Sequence, residues 1–151
     1  MLAPPLVALG VPDVTGLRLD RLVTREGAPY IDRFHIVYTP DFSARFHHWL
    51  ASDDQRAPHD HPADNLSLVL AGRMIEHTAQ GDRELAPGSL VTRKAEDAHA
   101  VELLTEDAWT LFALGKVRRR WGFHTPRGWV NWVAYEHAGQ YLTADESARP
   151  W

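Results

Sequence analysis

Along this chain, apolar and polar positions alternate over short stretches, and no long segment carries the three-to-four residue apolar period of a core helix. Tyr30 to Tyr38 is rich in β-branched and aromatic residues and stops at Thr39-Pro40-Asp41, which predicts a strand with a turn behind it. Ser43 to Ala51 follows as a strand, with Phe46, His48 and Leu50 on one face and His47 and Trp49 on the other. Leu17 to Val23 alternates in part and is read as a first strand. Leu66 to Thr78 reads as two strands hinged at Ala71-Gly72, and Ala79-Gln80-Gly81-Asp82 is a turn signal. Further strands are predicted near Arg83 to Leu85, over Ser89 to Lys94 after Pro87-Gly88, and over His99 to Leu104, Trp109 to Leu114 and Trp129 to Tyr135. The segment around His124 reads as a loop, and Tyr141 to Ala148 as a helical turn. Short strands punctuated by Gly, Pro and Asp indicate an all-β sandwich or barrel.

At 151 residues the chain is expected to form one domain, 1–151, with residues 1–16 as an N-terminal arm and 137–151 as a C-terminal tail. No repeat, low-complexity tract or linker divides it. The net charge of −4 argues against a nucleic-acid surface, and the run Arg118-Arg119-Arg120 reads as a solvated strand end. No run is long enough to span a bilayer, and the first ten residues do not read as a secretory signal, so a cytoplasmic protein without nucleic-acid or membrane partners is expected. Cysteine is absent, which excludes disulfides and thiolate ligands. Any metal must be held by nitrogen and oxygen.

That constraint gives weight to His59-Asp60-His61. Two histidines two residues apart on extended backbone point to one side, and neutral imidazole is the commonest ligand for zinc, iron, copper and nickel. Two ligands are too few, and the best candidate for a third is His99, at the head of an apolar run. Asp60 points away from the pair by the same parity and is read as a structural partner.

The spacing also resembles a known family. His59-x-His61, three residues to Asn65 and six more to Gly72 resemble the first cupin motif, a His-x-His pair followed by a glutamate and then a glycine. Pro87-Gly88 followed by Ala98-His99-Ala100-Val101 resembles the second, in which a Pro-Gly turn precedes a third histidine. The likeness covers roughly Tyr30 to Tyr135. Together with Trp121-Gly122-Phe123-His124 and Gly128-Trp129, it extends to small single-domain bacterial cupins. It implies a jelly-roll barrel, the cupin double-stranded β-helix, with one divalent metal held by His59, His61 and His99. The family's glutamate position falls on Asn65, a departure that makes Asn65 a fourth ligand, a group supporting the ligands from behind, or one facing the substrate. Three neutral imidazoles leave the metal its full charge and open positions. Iron(II) is favoured by analogy with three-histidine thiol dioxygenases, with zinc, manganese or nickel as alternatives.

Around this centre, Glu76 is the candidate general base or supporting carboxylate and Arg93 the candidate anchor for an anionic substrate. A salt bridge from Arg93 to Asp53, Asp54 or Glu76 accounts for it equally well. Asp64 suits a capping or turn role, one of His47 and His48 lines the pocket, and His35 and His137 read as surface residues. Most of the tryptophans are assigned to core and interface packing. Three functions compete for a small-molecule substrate: an iron(II) dioxygenase; a zinc, manganese or nickel isomerase, epimerase or lyase; and a non-enzymatic binding cupin. A homodimer is expected.

Overall fold

The computed structural model describes residues 11–24 and 26–138, with side chains through Tyr135. The Tyr141 to Ala148 turn, the side chain of His137, most of the C-terminal tail and the first ten residues of the arm lie outside the described residues.

The predicted strands appear as β1 (Arg18–Val23), β2 (Pro29–Tyr38), β3 (Ser43–Trp49), β4 (Asn65–Ala71), β5 (Met74–Thr78), β6 (Gly81–Leu85), β7 (Leu90–Arg93), β8 (His99–Leu103) and β9 (Ala108–Leu114). They form a six-stranded sheet in the order β1-β2-β3-β9-β4-β7 and a three-stranded sheet in the order β6-β5-β8. All pairings are antiparallel, and the β-strand order crosses between distant parts of the sequence, as in a jelly roll. Where the chain passes from β4 to β5, Gly72 takes φ +79°, and a Cβ there would lie 2.4 Å from the Asp107 carbonyl oxygen. Only glycine fits that turn without moving backbone.

Register fixes what each face of the large sheet carries. Ile31, Trp49, Val69, Val91 and Ala108 turn inward and form the core with Met74, Leu85 and Val101 from the smaller sheet. Toward the other end, the inward positions turn polar. One cross-strand row runs Arg18, His35, Arg45, Phe112, Ser67, Val91, and the next runs Asp20, Arg33, His47, Thr110, Val69. His35 is thus no surface residue: its ring is 10% exposed and hydrogen-bonds Asp20 Oδ2 at 2.9 Å. The outward row Leu19, Phe34, Phe46, Leu111, Leu68, Leu90 is apolar across all six strands.

The C-terminal part departs from the sequence reading. Residues around His124 form a strand, β10 (Gly122–Thr125), in a hairpin with β11 (Gly128–Asn131). The predicted strand over Trp129 to Tyr135 ends at Asn131, where α1 (Trp132–Ala138) begins. Asn131 Oδ1 accepts the Val133 N–H at 3.0 Å, a cap that side-chain periodicity does not show. Phe123, Val130 and Tyr135 pack together with Ala57, closing one end of the barrel beside the His59 segment.

Candidate metal centre

His59 and His61 lie on extended backbone outside any regular strand. The backbone nonetheless orders them. His59 N donates to His99 O at 2.8 Å and His99 N to His59 O at 2.9 Å, a reciprocal bridge that sets one ligand beside another. Parity then holds as expected: Asp60 turns away and is fully buried. It accepts the Gly122 N–H at 2.8 Å and the Trp129 indole N–H at 3.0 Å, and pairs with Arg119 and His124. Arg119 also donates to the carbonyls of His61, at 3.0 Å, and Ala95, at 3.3 Å, so the middle of the arginine run clamps this segment. Asp64, in its expected turn role, accepts the Ala95 N–H and a bond from Arg118.

The three predicted imidazoles converge. One ring nitrogen from each of His59, His61 and His99 lies within 4.8 Å of the others, and the Nε2 atoms of His61 and His99 are 2.9 Å apart. Behind His99, Nδ1 meets Glu76 Oε1 at 2.7 Å. Glu76 is fully buried. Burial raises its pKa, but the His99 hydrogen bond and the charge of Arg93 outweigh it and hold the carboxyl below the usual range. As an ionised acceptor it must take its hydrogen from His99 Nδ1, which turns the His99 Nε2 lone pair into the cluster. Behind His59, Nδ1 faces Asp53 Oδ2 at 3.7 Å. Burial is the largest influence on both remaining rings; it pushes His59 down to about 4 and His61 well below its ordinary value.

The donor set therefore fits a divalent metal. Three rings turn nitrogen toward one point, where the facing Nε2 atoms of His61 and His99 can share at most one hydrogen bond, and a cation there takes up all three lone pairs. Carboxylates sit behind two of the rings, the arrangement that fixes tautomer and raises ligand basicity. Phe112, Trp121 and Phe123 wall the cluster, with ring centroids 5.9 to 6.1 Å from the nearest histidine.

Of the alternatives weighed for Asn65 and Arg93, the geometry favours the supporting one in each case. Asn65 is no fourth ligand, because its Oδ1 accepts Arg93 Nη1 at 3.3 Å and its Nδ2 reaches the Ala63 carbonyl. Arg93 does not present a free fork to a substrate: it donates to Glu76 at 2.5 Å, Asn65 and Ser67 at 3.1 Å, all on the inward side. Both act on the centre through Glu76, which Arg83 also reaches at 2.5 Å. Sequence reasoning missed Asp53 at the centre, weighing it only as a salt-bridge partner of Arg93. It is buried, accepting the Val101 N–H at 2.7 Å and the Tyr30 hydroxyl.

No family model matches the chain, and no curated protein matches it. Solved structures do. A structure from Silicibacter pomeroyi, described as a sugar phosphate isomerase from a cupin superfamily, aligns over 88% of this chain and 96% of its own, with 15% identity and a TM-score of 0.59. The chain has the cupin fold. KdgF from a Halomonas species aligns over 67% of this chain and 89% of its own, with 21% identity and a TM-score of 0.55. A structure described as FeII HppE aligns over 66% of this chain and 56% of its own, with 17% identity and a TM-score of 0.55. Among the described residues no helix is long and apolar enough to cross a membrane.

Proposed function

We propose that this cupin is a mononuclear metal enzyme acting on a small organic molecule, with an iron(II) dioxygenase as the leading reading. The observation that carries the proposal is the convergence of His59, His61 and His99 with no carboxylate among them. A divalent metal bound there supplies Lewis acidity and, if it is iron(II), a site for dioxygen. His59, His61 and His99 hold it. Glu76 and Asp53 orient two of the rings, Arg93 and Asn65 keep Glu76 in place, and Phe112, Trp121 and Phe123 exclude water. The iron-containing structure with this fold supports the redox reading.

A second reading keeps the metal and drops dioxygen: an isomerase, epimerase or lyase using zinc, manganese or nickel. The sugar phosphate isomerase of the same fold favours it. Elemental analysis of protein purified without added metal is the first test, followed by anaerobic exposure of the iron form to nitric oxide. Retained iron with a nitrosyl spectrum, and turnover that stops without dioxygen, is the expected outcome. Turnover that persists under strict anaerobiosis selects the second reading, and a chain that holds no metal above background defeats both. Metal binding with no turnover of any offered compound leaves a binding cupin.

We also propose a homodimer through the outer face of the six-stranded sheet, where Leu19 and Leu90, both more than half exposed, end an apolar row that includes Phe34, Phe46, Leu68 and Leu111. Light scattering at micromolar concentration should give twice the chain mass; a monomer refutes it.

A further inference from the structure

The inner face of the large sheet carries two buried polar atoms that nothing among the described residues satisfies: Arg45 Nε and His47 Nε2. An orphaned buried donor bears the whole cost of its lost hydration, more when charged, so such groups mark a missing partner. Both lie across the Phe112 ring from the metal centre. The Phe112 ring links them to it: His47 stacks on that ring at 4.9 Å, the Arg45 guanidinium lies 5.5 Å from its centroid, and His61 packs at 5.9 Å. Arg45 also lines a cleft of about 620 Å³ with Arg18, Arg33, His35, Tyr38 and Asp20.

From this arrangement we propose that Arg45 and His47 form a cradle for the oxyanion of a small organic acid, so that the substrate of the metal centre carries a carboxylate or phosphate group. The inference rests on the metal-enzyme reading for the word substrate, but the cradle itself does not need the metal. Its electrostatics favour an anion. The cleft holds three guanidinium groups against the single carboxylate of Asp20, and Asp20 is already engaged by Arg33 Nε at 2.6 Å and by His35. Arg18 makes no ion pair among the described residues. In the register, Arg45 faces His35 on one side and Phe112 on the other, so no acidic residue stands across from it on either neighbouring strand. Burial and the neighbouring charge of Arg33 lower Arg45 only to about 10, so it stays cationic at neutral pH. Burial, then the charges of Arg45 and Arg33, keep His47 neutral, with one ring N–H to offer. A guanidinium and an imidazole N–H on adjacent residue rows are complementary to one oxyanion. The metal would then meet the other end of the molecule.

Calorimetric titration with succinate and with glycerol 3-phosphate separates carboxylate from phosphate, with succinamide and glycerol as neutral controls. Each is run on the zinc-loaded and on the metal-free protein. The expected result is binding of at least one anion and of neither neutral control, weakened at least about tenfold in Arg45→Gln and His47→Phe. Chelator competition should show zinc affinity unchanged in Arg45→Gln. If Arg45→Gln fails to fold, Arg45→Lys, which keeps the charge and loses the planar fork, should bind more weakly than wild type. Equal binding of anions and neutral analogues, equal affinity in wild type and variants, or no binding in either form overturns the cradle. Anion binding that depends on Arg45 in a protein that holds no zinc preserves the cradle and rejects the metal-enzyme reading.

Discussion

At the residue scale, the centre depends on a carboxylate that is not one of its ligands. Glu76 keeps the charge that the family pattern places at Asn65, but holds it behind His99, between two guanidiniums. Glu76→Gln should lower zinc affinity about 10–100-fold by chelator competition, since ring orientation and basicity are lost while all three ligands remain. It should also cost about 3–5 kcal/mol in urea unfolding, because Arg93 is left buried without its partner. A fall in affinity below about threefold would refute the orienting role. Acid should act through His59, which is held at about 4 against an ordinary 6.5. The unfolded chain takes up a proton below 6.5 that the folded chain refuses until about 4. The metal-free fold is therefore at full strength above 6.5 and loses about 3 kcal/mol from His59 alone as pH falls through that window, with His61 and His47, which burial also holds below 6.5, adding to the loss. Urea midpoints across pH 4 to 7 measure it. The three histidines were legible because spacing and parity are properties of the sequence. Asp53 and Arg119 were not: nothing in Ser52-Asp53-Asp54 or Arg118-Arg119-Arg120 distinguishes the member that turns inward, and only the fold brings Asp53 to Val101 and Arg119 to Asp60.

At the scale of elements, turns and caps place the histidines, and they are where sequence reading divided. The strands from β1 to β9 followed from alternation, and the β4–β5 hinge from Gly72. Gly72→Ala forces a Cβ against the Asp107 carbonyl in a left-handed turn and should destabilise by at least about 2 kcal/mol in thermal or urea melts. The hairpin and helix at the end were misread for a physical reason. Trp129-Val130-Asn131-Trp132-Val133-Ala134-Tyr135 has strong β propensity, but local propensity lost to the Asn131 cap and to burial of Tyr135 against Phe123, whose rings stack at 4.0 Å. Asn131→Ala should cost about 1 kcal/mol and leave the β-rich circular dichroism spectrum intact. No loss of stability would show that packing alone starts the helix.

At the scale of the whole molecule, the cupin fold was legible from two motif spacings, because they encode where the barrel turns and where its ligands stand. The cradle of Arg45 and His47 was less so: alternation puts one of His47 and His48 inside, but only register across β1, β2, β3 and β9 shows which cations gather there. Zinc at about 100 times its dissociation constant should add about 2.7 kcal/mol to stability, seen as a rise of several degrees in the melting midpoint. No rise would mean that the unfolded chain binds zinc equally well or that the folded chain does not bind it.

The reciprocal amide pairing between His59 and His99 has a kinetic side as well. Two of the three ligands are anchored to each other through the main chain, so their spacing is finished before any ion arrives. Uptake should be paced by diffusion and by the ion shedding its water, not by folding of the barrel. Deuterium should enter the amides of His59 and His99 equally slowly with and without zinc at pH 7, apart from the general slowing that added stability brings to every core amide.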